Sequence, residues 1–214
     1  MPSFGPFTVA TYHLLMSLAD VLGGAAVAIV VLTVCLRLAL LPLTLRQIAG
    51  ERARAALAPR LAELTARHGS DPAAYQRAVL DLHKEEGVPM LAGCLPALAQ
   101  APFFAVLYSV FIQSTIDGRP NALLAADLFG TSLGASGTAA LPVLLGVLAL
   151  MAVVATVSAR RIRRTIQPGQ PGFLSALPYL SVVFAAFVPL AAGVYLLTTT
   201  AWSALETAVL RRPR

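Results

Sequence analysis

Charge is what this sequence lacks most. Asp, Glu, Lys and Arg make up 12% of its 214 residues and apolar residues 57%, whereas a water-soluble domain carries roughly 25% charge. That deficit excludes a soluble globule and a disordered tail. Cysteine is nearly as scarce. Cys35 and Cys94 both lie inside apolar runs, and no Cys-x-x-Cys pair or Cys/His cluster occurs. A disulfide framework and a zinc site are therefore not read. The chain also lacks a Gly-x-x-x-x-Gly-Lys-Ser/Thr loop, so no nucleotide site of that kind and no cofactor are expected. Residues 1–20 contain no Lys or Arg, which argues against a cleaved signal peptide with its positive leader.

What is present in abundance is long apolar sequence, with a mean hydropathy of +0.76. Five stretches stand out: residues 21–45, 90–112, 140–159, 173–188 and 190–210. Four reach the roughly 20 residues that a helix needs to cross the hydrocarbon. The fourth is short, and only Pro189 separates it from the fifth, which predicts a tight helical hairpin. Residues 1–20 mix Phe4, Phe7, Tyr12 and Leu14 with polar neighbours and read as an extracytoplasmic amphipathic segment on the membrane surface. The expected fold is all-α: a polytopic membrane protein of five transmembrane helices over residues 21–210, with a cytoplasmic two-helix hairpin within 46–89. A short basic tail, 211–214, follows.

Basic residues set the orientation. Arg46, Arg52, Arg54, Arg60, Arg67, Arg77 and Lys84 fall between the first and second stretches, four arginines lie in 160–164, and three lie in 211–214. The alternate segments hold only Arg119. The N-terminus is thus expected outside and the C-terminus in the cytoplasm, and the positive net charge needs no nucleic-acid partner.

Within residues 47–86 two helices are expected. Leu57, Leu61 and Leu64 repeat at i, i+4, i+7, as do Tyr75, Val79 and Leu82, giving two apolar stripes that can zip together. Gly69 suits the end of the first helix, Asp71 the cap of the second and Pro72 its first position. Glu63 and Arg67 are placed for an i, i+4 pair.

Arg37 is the most informative residue. It lies inside the first stretch, nine residues before Arg46, or roughly 13 Å along a helix. A charge there costs at least ~2.5–3.5 kcal/mol on insertion scales and persists where it meets water or a partner. One reading is a salt bridge to Glu206 in the last stretch. The favoured reading is a hydrated cavity open to the cytoplasm, since no acid is clearly matched to Arg37 in depth. Gln100, between Pro96 and Pro102, and the run Thr198, Thr199, Thr200 with Ser203 are further candidates for a wet surface.

Three segments resemble the YidC/Oxa1/Alb3 family of membrane protein insertases. The first carries Arg37 followed by Pro42-Leu43. The second contains Gly93-Cys94-Leu95-Pro96, Gln100-Ala101-Pro102 and Phe104-Ala105-Val106-Leu107-Tyr108. The third contains Pro189, Tyr195 and Trp202. The resemblance covers about residues 15–210. It implies a five-helix core and a hydrophilic groove, open to cytoplasm and lipid and closed outside. Arg37 would be the groove cation, with Gln100, Thr198 and Thr199 as wall groups. Phe104, Tyr108 and Tyr195 would form a hydrophobic slide for the incoming helix. The implied partners are newly made membrane proteins and the lipid bilayer, and partnership with the general secretion channel stays open. Two features depart from the family pattern. Ala191 stands where a glycine is usual after the proline, and the tail Arg211-Arg212-Pro213-Arg214 is short, which argues against ribosome docking. No large extracytoplasmic domain is expected before residue 20.

Three other functions compete. Gly130-Thr131-Ser132-Leu133-Gly134 and Gly134-Ala135-Ser136-Gly137 match serine-hydrolase motifs, but both are expected in a flexible outer loop without strand or helix. No histidine follows His83 to activate a serine. A small-anion transporter or channel would use Arg37 as its anion site, although no internal repeat is seen. A non-inserting assembly scaffold could hold helices in the same groove.

Overall fold

The computed structural model describes residues 5–68, 71–88, 95–165 and 172–210; within these, the side chains of 54, 95–100, 164, 165, 172 and 174 are not described. Two compact units result: Met1–Leu38 with Phe103–Arg214, and Ala39–Pro102.

The larger unit opens with helix α1 (Gly5–Leu22) and helix α2 (Ala25–Ala39), bent by 115° to one another. Glycine permits that corner. Gly23 adopts φ +78°, a conformation that other residues enter only with strain, and the Gly24 N–H donates to Ala19 C=O at 3.0 Å. The apolar stretch 21–45 is therefore not one helix. It contains the corner and is interrupted again at Leu40, after which α3 (Leu41–Ala56) runs in the smaller unit. The expected amphipathic segment 1–20 is helical from Gly5 onward.

Helix α6 (Leu95–Ile112) carries Pro102 inside it and leads into a folded cap. The expectation of an unstructured loop there is overturned. Strands β1 (Thr115–Ile116) and β2 (Arg119–Pro120) pair antiparallel, a one-turn helix α7 (Ala122–Ala125) follows, and β3 (Asp127–Leu128) pairs with β4 (Thr131–Ser132). Both hairpins turn through two successive positive-φ residues, Asp117-Gly118 and Phe129-Gly130, the requirement of a type I′ turn. Ile116, Leu123 and Leu133 are buried, so the cap has its own share of the core.

Helix α8 (Leu141–Thr165) enters from a short 3-10 turn, Gly137–Ala140. Its buried positions Leu144, Val147, Met151, Ala155 and Ala159 make one stripe, while Leu145, Leu150, Val153 and Val157 stay exposed. A helix apolar on its exposed side is suited to lipid. A 3-10 turn, Gly172–Ala176, precedes α9 (Leu177–Ala185), and α10 (Leu190–Leu210) ends the described chain. Its limits coincide with those of the fifth apolar stretch. The first N–H groups of a helix have no partner within it. In α10 the cap supplies two: Leu190 N–H donates to Ala135 C=O at 3.0 Å and Ala191 N–H to Leu133 C=O at 2.8 Å. Among the described residues the helix spanning Gly137–Arg163 is long and apolar enough to cross a membrane alone, and α1 with α2 passes as a bent pair.

In the smaller unit the expected helix pair is present as α4 (Ala58–His68) packed on α5 (Pro72–Glu85), with a break at Leu57 separating α3 from α4. Asp71 caps α5, accepting from Ala73 N–H at 2.9 Å and Ala74 N–H at 3.0 Å. Leu57 and Leu82 are buried, Arg60 pairs with Glu86, and Glu63 and Arg67 form an exposed pair at 4.0 Å. Gly69, expected at the helix end, lies outside the described residues.

Candidate functional site

Arg37 sits in the last turn of α2, half-buried, beside exposed Cys35 and Leu38. Among the described residues no carboxylate pairs with it; the ion pairs found there all lie in the smaller unit. The salt bridge to Glu206 is therefore not formed. The charge of Arg37 instead acts on the hydroxyl of Tyr195 on α10, which also lies within interaction range of Thr199.

Tyr195 begins one face of α10. Tyr195, Thr199, Trp202 and Glu206 follow at i, i+4, i+7 and i+11, which stacks them along a single narrow stripe. Thr199 Oγ1, Trp202 Nε1 and Glu206 Oε1 are all buried without a hydrogen bond of ordinary geometry. The Tyr195–Thr199 approach is thus a proximity and not a well-formed bond. Thr198 and Thr200 differ from the residue between them, for each hydroxyl donates to its own helix at 2.8 Å, to Val194 C=O and Leu196 C=O. Thr199 is the member of the triplet left unsatisfied. Gln100 falls in α6, but its side chain lies outside the described residues.

The aromatic residues read from the sequence converge. Phe104 and Tyr108 stack with ring centres 6.0 Å apart, and Phe104 meets Tyr195 at 5.7 Å. Phe111 and Phe184 complete the group, at 5.9 Å from Tyr195 and 6.4 Å from Tyr108. Sequence reading missed these two. Phe111 continues the α6 face begun by Phe104 at i+7, a spacing that could have shown it. Phe184 comes from another helix and gave no such signal. Phe104 is exposed, Tyr108 half-buried and Tyr195 buried, so the cluster passes from surface to core.

A cavity of 240 Å³ lies between α8, α9 and α10. Ser158, Ser181, Thr200, Ser203 and Thr207 line it with Met151 and other apolar groups, and Arg37 is not among the lining residues. Four of these hydroxyls, those of Ser181, Thr200, Ser203 and Thr207, donate to carbonyls of their own helices, so the wall is only weakly polar.

The hydrolase-like motifs have structural roles. Gly134 packs so closely that an added Cβ would lie 3.0 Å from Leu124 Cβ, and its N–H donates to Leu124 C=O at 2.8 Å. Ser132 belongs to strand β4, and among the described residues neither Ser132 nor Ser136 bonds to a histidine. Asn121, unforeseen from the sequence, holds the cap. Its side chain donates to Val110 C=O at 2.8 Å and Gln113 C=O at 2.9 Å and accepts from Leu123 N–H at 3.1 Å.

Comparison with known proteins places this arrangement. A membrane protein insertase YidC of Shewanella pealeana is 37% identical over 121 residues, 56% of this chain and 22% of the relative. Another, from Xanthomonas euvesicatoria pv. vesicatoria, is 44% identical over 87 residues, 41% of this chain and 15% of the relative. The chain thus spans a minor part of the curated relatives it matches. A crystal structure of an active YidC insertase with its first transmembrane domain resolved superposes with a TM-score of 0.63 at 19% identity, covering 98% of this chain and 47% of that one; at that identity the likeness is one of fold. A model of the 60Kd inner membrane protein family matches residues 17–214, and the chain belongs to that family.

Proposed function

We propose that this chain is the membrane-embedded core of an insertase that moves transmembrane segments of newly made proteins from the cytoplasm into the bilayer. Its relatives are named for that activity. The observation that carries the reading is Arg37, a permanent cation on an apolar helix with no described carboxylate to neutralise it. Its charge is felt at Tyr195, the first residue of the partly unsatisfied face of α10.

The mechanism follows from the energetics of transfer. An apolar segment of about 20 residues gains free energy on leaving water. The barrier is the passage of its polar flank through hydrocarbon. A fixed guanidinium part-way into the membrane attracts an acidic flank and shortens the dry path, with Thr199 as a polar wall group. Phe104, with Tyr108 and Tyr195 behind it, offers the segment an apolar surface on its way to lipid. Burial releases the energy, so no nucleotide is consumed and no covalent chemistry is needed. In this reading five helices span the membrane, the α4–α5 pair and the basic helix ends are cytoplasmic, and the cap is outside.

The test is insertion into proteoliposomes holding the purified protein. Arg37→Ala should lower the initial rate for a one-span substrate with an acidic translocated flank by about tenfold, the scale of one charge-assisted contact. Substrates with a neutral flank should change by less than about twofold, and Arg37→Lys should retain most of the rate. Equal insertion of acidic-flanked substrates by wild type and Arg37→Ala removes the role of the charge. Saturable anion flux through the same vesicles favours the transport reading instead.

A further inference from the structure

Glu206 is the one acidic residue after Asp127, and it is placed where a carboxylate is least expected. α8 and α10 begin at the same end, because the cap bonds the first turn of α10 just before α8 starts. Their other ends therefore lie together, and the cavity between them pairs Ser158 of α8 with Thr207 of α10. Glu206 thus shares an end of the larger unit with Arg160 and Arg163. Even so, its Oε1 is buried without a hydrogen bond, and it makes no ion pair among the described residues. A buried carboxylate oxygen without a donor is costly, so the chain by itself leaves Oε1 incomplete, while the residue as a whole is half-buried and keeps an open side.

Its neighbour indicates what completes it. Trp202 precedes Glu206 by four residues on the same face, so their Cβ atoms stand about 5–6 Å apart. An indole ring beside a carboxylate is the combination that binds a guanidinium or ammonium group, through ring quadrupole and opposite charge together. The stripe is therefore bipolar. Arg37 acts near Tyr195 at one end, and Glu206 lies eleven residues further on, roughly 16 Å along the helix.

We propose that Trp202 and Glu206 form a receptor for a basic side chain in the cytoplasmic flank of the substrate, so that the stripe reads both flanks of the incoming segment, cation to acid and acid to cation. This rests on the insertase reading and adds to it a determinant of substrate orientation: the flank bearing Lys or Arg is retained while the other crosses.

The experiment uses proteoliposomes of phosphatidylcholine without membrane potential, which removes the other sources of preference for positive charge inside. The substrates are one-span proteins without tryptophan, each with an acidic translocated flank and a cytoplasmic flank of three Arg, three Ser or three Glu. Wild type should insert the Arg-flanked substrate about tenfold faster than the Ser-flanked one. Glu206→Gln should erase that difference without slowing the Ser-flanked substrate, Glu206→Asp should keep most of it, and Glu206→Lys should transfer the preference to the Glu-flanked substrate. Because Trp202 is the chain's single tryptophan, its emission gives a second readout. The Arg-flanked substrate should shift it in wild type and not in Glu206→Gln. A preference that survives Glu206→Gln, or equal slowing of all substrates, overturns the receptor while leaving insertion intact. Failure of wild type to insert any substrate overturns the insertase reading and this proposal with it.

Discussion

Asn121 closes one end of the larger unit with a single side chain. It satisfies two carbonyls at the end of α6 and the first free N–H of α7 while itself buried. Asn121→Ala strands those groups, and a lost buried network of this size costs about 2–4 kcal/mol. The expected result is a lower midpoint of thermal unfolding in detergent, with helix content unchanged at low temperature. Phe129 presents the opposite case. It occupies the left-handed region at φ +51° with its side chain 89% exposed, at a turn position that Asn fills without strain. Phe129→Asn should therefore stabilise the protein in detergent by about 0.5–1 kcal/mol; an unchanged or lowered midpoint would show that the ring has a partner. Arg37 was legible in the sequence because a charge within an apolar run is conspicuous. The difference between Thr198 and Thr199 was not, since it depends on which hydroxyl faces its own helix and which faces Tyr195. The burial of Tyr195 was equally hidden, because residues from other helices cover it.

Among the elements, those with local signals were read correctly. The limits of α10 follow from Pro189 and the end of the apolar run, and the start of α5 follows from Asp71 and Pro72, whose cap the structure contains. Helices α4 and α5 likewise pack against one another. Breaks inside continuous patterns were passed over because hydropathy masked their local signals. Pro42 and Pro59 stand two residues after Leu40 and Leu57, in the first turns of α3 and α4 where proline suits a helix start, and the corner falls at the pair Gly23-Gly24. The cap was under-read for a different reason. Asp117-Gly118 is a strong hairpin signal, but its strands are two residues long, too short for alternation to show. Phe129-Gly130 carries a turn that its composition does not advertise.

For the whole molecule, the distribution of basic residues makes a prediction about sidedness. In a variant without Cys35 and Cys94, a cysteine at Thr138 beside the cap and one at His68 at the end of α4 should be labelled by an impermeant maleimide from opposite faces of the membrane. Labelling of both from one face would contradict the proposed topology. Family membership was readable from the segment around 93–108, where several motifs follow in close order, and the matched range 17–214 extends it to nearly the entire chain. What sequence could not supply was the joining of distant parts: the cap to α10, Phe184 to Tyr108, and Phe104 to Tyr195.

The bonds from Ala135 and Leu133 to the first turn of α10 have a mechanical consequence. They pin α10 to the segment that leads directly into α8, so the two helices share one bonded end. A clamp at that end fixes the register of one helix against the other, and Ser158 and Thr207, each well along its own helix, therefore arrive at matched depth on the wall of the same cavity.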